Sequence, residues 1–163
     1  MVDPITSLAL VLLAYLTVVP LLVLAHELAH AAMGFALLPG PIRVTVGTDP
    51  RWEVTRGRLE LGIDPGGWRS WWPGFYRSAA TPKGYRGVAI VLIGPISSLG
   101  FGVGLLGAAS IATDAVAVVC RTGAYWAFVQ GLATVVPVTY PDWLPAYGGH
   151  PSDGKRAIRY VQE

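Results

Sequence analysis

The sequence predicts a membrane α-helical fold: about three core transmembrane helices, with a small membrane-associated β-hairpin or sheet between the first and second. Three observations carry this expectation. The 163 residues are 53% hydrophobic and 13% charged, against about 25% charged in ordinary soluble domains. Apolar residues gather into three stretches near or above the ~20 residues that a bilayer-crossing helix needs. Between the first two stretches, apolar and polar residues alternate with the two-residue period of strands. The length suits a single domain, 1–163.

The first span covers about 5–38, interrupted only by Pro20 and by His26, Glu27 and His30. No Lys or Arg precedes it and no small-residue cleavage pattern closes it, so it is expected to be a retained helix rather than a signal peptide. In the segment 39–86, Ile42, Val44 and Val46 alternate with Arg43, Thr45 and Gly47. Leu59, Leu61 and Ile63 likewise alternate with Arg58 and Glu60. These runs predict two short strands paired as a hairpin, the second ended by the turn Asp64-Pro65-Gly66-Gly67. Trp68, Trp71, Trp72, Phe75 and Tyr76 then suit a loop at the membrane–water interface, where amphipathic rings settle.

The second span, about 87–112, carries no charge. The third, about 116–136, is charged only at Arg121, which is expected to snorkel to the headgroups. The short connection at Asp114 predicts that these two spans pack antiparallel. A tail, 137–163, is rich in Pro, Gly and Tyr up to Ser152, and a short helix is expected from Asp153.

Positive charge sets the expected topology. Eight of the 12 Lys and Arg residues lie in 39–86, and three more (Lys155, Arg156, Arg159) follow the third span. With three crossings these regions share a side, which the positive-inside rule makes cytoplasmic. The N-terminus then faces outward, and the histidine cluster lies near the cytoplasmic end of the first helix. The expected setting is the plasma membrane of a prokaryote, with the lipid bilayer as a partner. A net charge of +2 leaves no footprint for nucleic acid. Cys120 is the only cysteine, so neither an internal disulfide nor a cysteine metal cluster is possible.

His26-Glu27-Leu28-Ala29-His30 on a helix places two imidazoles one turn apart on one face, where both can reach one zinc ion. Glu27, next to the first, is the candidate catalytic base. Two histidines and a glutamate in an apolar helix are costly in lipid and point to function rather than packing. A hydrolytic zinc needs a third protein ligand. Asp114 falls on the wrong side, Asp64 is explained by its turn, and Asp142 lies in a proline-flanked loop. Asp153 and His150 remain close rivals, although a helix N-terminus would also explain Asp153.

Three features together resemble the site-2 protease family of intramembrane zinc metalloproteases (the M50 type): the histidine motif in the first helix, Gly94-Pro95 in the second, and Asp153-Gly154 after the third, preceded by Pro137. The resemblance covers nearly the whole chain. It implies a three-helix catalytic core with a small sheet between the first two helices. It makes His26, His30 and Asp153 the ligands of one zinc and Glu27 the base; residue chemistry keeps His150 as the alternative ligand. Family members often carry asparagine, thought to grip substrate, where this chain has Ser98 and Thr134. Those two positions are the candidate substrate-positioning residues. The stretch between Pro137 and Asp153 is longer than in compact members.

The implied activity is hydrolysis of peptide bonds in single-pass membrane protein substrates, as in regulated intramembrane proteolysis. The substrate helix must unwind locally, and an edge strand within 42–63 is expected to receive it by strand addition. The alternative is a proteolytically inactive, metal-binding homologue serving as a membrane scaffold or regulator. A protease with a glutamate as third ligand fits less well, because the only Glu after Glu60 is Glu163. A metal transporter would be expected to carry ionisable residues in the second span.

Overall fold

The computed structural model describes residues 2–163. Three long helices, α1 (Pro4–Leu37), α2 (Gly84–Ile111) and α3 (Asp114–Val135), are followed by a short α4 (Asp153–Gln162). Strands β1 (Ile42–Val46), β2 (Trp52–Arg56), β3 (Leu59–Ile63) and β4 (Gly74–Ser78) lie between α1 and α2. Helices therefore occupy the three expected segments to within three residues at each end. Two of the helices, α1 and α2, are long and apolar enough to cross a membrane.

Helix α1 is capped by Asp3, whose carboxylate accepts from the N–H groups of Ile5 and Thr6. Its composition is apolar all round, yet its buried residues from Val19 onward (Leu22, Val23, His26, Glu27, His30, Ala31, Gly34) form one stripe at helical spacing. The histidine motif thus lies on the most deeply buried face of α1. At the far end Arg58 closes the helix, donating to the carbonyls of Leu38 (2.8 Å) and Phe35 (2.9 Å), which have no partner within the helix.

The sheet is four-stranded and mixed, in the order β2-β3-β1-β4. This corrects the expected hairpin. β1 and β3 are neighbours but run parallel, Ile42 opposite Leu59 and Val46 opposite Ile63. The true hairpin joins β2 to β3 through Gly57, whose φ of 60° suits a tight turn. Alternation identified both apolar strands, but it carries no information on direction or on an intervening edge strand. β2 went unread because all five of its residues are exposed. Phe75 and Tyr76 belong to β4, antiparallel to β1, rather than to an interfacial loop. Of the aromatic cluster, Trp68 and Trp71 are exposed, whereas Trp72 and Tyr76 are buried in the core.

Ile42, Val44 and Val46 point from β1 into that core, against Ala31, Tyr76 and Ile90 at one end and Val19, Val23 and Trp72 at the other. The sheet therefore lies along the half of α1 that carries the histidines. Asp64, at the end of β3, is buried and accepts from the backbone N–H groups of Gly66 (2.7 Å), Thr48 and Asp49 (both 3.2 Å). Burial pushes its pKa up, but these donors outweigh it and hold the carboxyl below its ordinary value.

Replacing Asp64 by Ala leaves these amides without their acceptor and should cost about 2 kcal/mol, read as a lower unfolding midpoint in detergent. The wild type's advantage should be full above the unfolded carboxylate pKa of about 3.9 and vanish as pH falls through the lower folded value.

Candidate metal centre

Four elements converge on the histidine motif. One turn of α1 presents His26 and His30 side by side, their ring centroids 4.8 Å apart. Asp153, the first residue of α4, reaches both from the opposite side. The two Nε2 atoms are 3.2 Å apart, and Asp153 Oδ2 lies 3.4 Å from each. A tetrahedral ion with bonds of about 2.0–2.1 Å spaces its ligand atoms about 3.3 Å apart. The donor triangle therefore already has the dimensions of one metal ion's coordination shell. His26, His30 and Asp153 form the group of described residues able to hold a metal.

The outer partners fix which nitrogen faces the centre. His30 Nδ1 is 2.5 Å from the Ile90 carbonyl, which can only accept, so Nδ1 carries the proton and Nε2 offers a lone pair. His26 Nδ1 lies 2.8 Å from Ser98 Oγ, which orients the second ring in the same sense. The other Asp153 oxygen, Oδ1, faces Arg156 at 3.6 Å. Burial would raise the Asp153 pKa, but the two imidazoles that face it outweigh this and hold it well below the usual carboxylate range. It is ionised, as a metal ligand must be.

Two glycines make this convergence possible. A Cβ on Gly94 would lie 2.8 Å from His26 Nε2 and would overlap the His30 ring, so only glycine lets α2 approach the imidazole tips. Pro95 removes the donor for the carbonyl four residues earlier and opens that turn of α2, beside the Ile90 carbonyl that His30 uses. A Cβ on Gly154 would overlap the Val135 carbonyl, so the Asp-Gly pair seats α4 against the end of α3. Ser152 caps α4, accepting from Lys155 N and donating to the Val136 carbonyl at 2.6 Å.

Glu27 is 6% exposed and lines a cavity of about 300 Å³ together with both histidines and Asp153. Thr134 and His150 also line it. His150 is not among the converging ligand atoms; its ring packs on Phe75, centroids 6.3 Å apart. Thr134 donates back to the Gln130 carbonyl of its own helix. Ser98 is placed differently from expectation: it is 2% exposed, behind His26, and does not line the cavity.

Sequence reasoning passed over Gln130, Tyr140, Tyr147 and Arg156, all of which line the cavity. Gln130 lies one turn before Thr134, and Arg156 one turn after Asp153, spacings that could have pointed to them. Gln130 Oε1 is buried without a partner. Burial pushes the Tyr140 hydroxyl up to about 12 and the Tyr147 hydroxyl up as well, so both keep their protons at neutral pH. No protein-family profile and no curated protein matches the chain.

Ser98→Ala should lower metal affinity about 10- to 100-fold, the usual effect of losing a ligand's orienting partner. Gly94→Ala should abolish stoichiometric metal binding. Competition with a chromophoric chelator measures both.

Proposed function

We propose that the chain is a zinc-dependent intramembrane endopeptidase of the site-2 protease type, hydrolysing peptide bonds of membrane-spanning protein substrates. The observation that carries this reading is the 3.2–3.4 Å donor triangle of His26, His30 and Asp153 with Glu27 beside it in one cavity. Two imidazoles and a carboxylate are the ligand set of hydrolytic zinc, with a fourth position left open. Zinc bound there would supply a water of lowered pKa, about 7, and polarise the scissile carbonyl.

The chain's own residues do the rest. Glu27 takes the proton from the attacking water as the C–O bond forms, then delivers it to the amine nitrogen as the C–N bond breaks. Ile90 holds His30 in one tautomer and Ser98 holds the His26 ring in place, so no reorientation accompanies the reaction. Substrate docks as an added strand. Segment 42–63 does supply an edge, β2, but it lies three strands from the cavity. The edge that lines the cavity is β4, through Gly74, Phe75, Tyr76 and Arg77. That placement favours β4 as the docking strand.

The setting is the bilayer, crossed by α1, α2 and α3. Large apolar side chains stand exposed on all three helices, among them Leu8, Leu12, Leu16, Val103, Ile111 and Val129. A belt of this extent is typical of a lipid-facing surface and far from that of a water-soluble monomer. The basic residues of the sheet segment and of α4 favour a cytoplasmic position for those parts, with the N-terminus outside.

Zinc-loaded protein should cleave a membrane-spanning peptide in detergent or vesicles, and chelation should stop it until zinc is restored. Glu27→Gln should keep one zinc per chain yet lose about 10²- to 10⁴-fold in turnover. Equal cleavage by both proteins would overturn the assignment. Zinc binding without cleavage by either would favour the inactive scaffold.

A further inference from the structure

The residues between α3 and α4 do more than connect them. Thr139 pairs with Pro151 in an antiparallel bridge, and Tyr140 N–H donates to the His150 carbonyl at 2.9 Å. The segment 141–149 is thus a strap closed at its base. It lies against β4: the Tyr147 ring packs on Phe75, centroids 5.5 Å apart, and on Tyr140 at 5.4 Å.

The β1–β4 register shows which peptides of β4 are free. Gly47 N–H donates to the Pro73 carbonyl and Ala79 N–H to the Pro41 carbonyl, so the bonded positions are Pro73, Phe75, Arg77 and Ala79. The N–H and C=O of Gly74, Tyr76 and Ser78 therefore point outward, along the edge that lines the cavity. Gly74 N–H donates to Tyr147 Oη at 2.7 Å, and the same hydroxyl lies 3.4 Å from the Gly74 carbonyl. One side chain thus satisfies the donor and the acceptor that an incoming strand would use. The strap carries strain beside this contact: Ala146 has φ of 65°, a left-handed conformation that alanine rarely adopts.

We propose that the strap is a displaceable plug on the docking edge, in which the Tyr147 hydroxyl stands in for a substrate backbone at Gly74 and must be expelled by a strand-forming segment of the substrate. The proposal rests on the docking edge assigned above. It makes Tyr147 a selectivity element, since a segment that pairs poorly as a strand leaves the plug in place. Displacement releases Ala146 from its left-handed conformation, which offsets part of the cost of breaking the Gly74 bonds.

The test reads binding and amide exchange, so it does not depend on catalysis. The probe is a fluorescein-labelled, Val/Thr-rich 12-residue peptide in detergent micelles, titrated onto zinc-loaded Glu27→Gln protein. Tyr147→Phe, which keeps the ring contacts, should bind the peptide about fivefold more tightly and should speed hydrogen exchange at the Gly74 amide, as loss of the hydroxyl's short bond from Gly74 N–H and its longer one to the Gly74 carbonyl requires. A second arm uses Phe75→Cys with His150→Cys in a Cys120→Ser background, joined by a short bifunctional thiol reagent with a reducible link. Tying the base of the strap to β4 should weaken binding at least tenfold, and reduction should restore it. Unchanged or weaker binding by Tyr147→Phe, or unimpaired binding by the tied protein, would overturn the plug. Strap-dependent binding in a protein that cleaves nothing would leave the plug standing and remove the protease reading.

Discussion

The molecule answers to one constraint: four ionisable side chains, His26, Glu27, His30 and Asp153, are buried together in a bundle of largely apolar helices. Charges and lone pairs in such surroundings are tolerated only when each finds a partner. The two inner imidazole nitrogens face Asp153, and the two outer ones face a serine hydroxyl and a backbone carbonyl. The second carboxylate oxygen faces Arg156. With so many positions committed, these partners hold the atoms at a metal's spacing.

The partners arrive from all parts of the chain, and small residues set how closely they can come. Gly94 admits the α2 backbone to the imidazole tips, and Gly154 admits α4 to the end of α3. The sheet contributes from the remaining side. β1 packs its valines and isoleucine against the histidine-bearing half of α1, which carries β4 and its free edge to the mouth of the cavity. Arg58 ties β3 to the last carbonyls of α1, so the sheet and the ligand helix hold a fixed relation.

Much of this was legible in the sequence because its cause is local. Helix lengths follow from uninterrupted apolar runs, and the His26–His30 pairing follows from the pitch of one helix. The strands at Ile42–Val46 and Leu59–Ile63 follow from period-two alternation. What escaped notice depends on non-local geometry. Alternation could not say that β1 and β3 run parallel, nor reveal β2, which buries nothing. The choice between Asp153 and His150, left open by residue chemistry and decided by the family resemblance, turns on where α4 docks, which Gly154 and Val135 determine. Ser98 was read as a substrate contact, yet the orientation of α2 turns it toward His26. Tyr147 lies in a loop whose composition gives no sign of the strand it covers.

Helix α4 has only ten residues, too few to hold its shape alone in water. It depends on the Ser152 cap, on the seat that Gly154 allows beside Val135, and on Asp153 meeting the two histidines. The long helices and the sheet, by contrast, are joined by apolar packing that none of these contacts supplies. Completion of the buried group thus rests on a peripheral helix: the seating of α4 is what brings the last carboxylate to the two histidines. A chain in which α4 is undocked carries two histidines and a glutamate but lacks the third member of the group able to hold a metal.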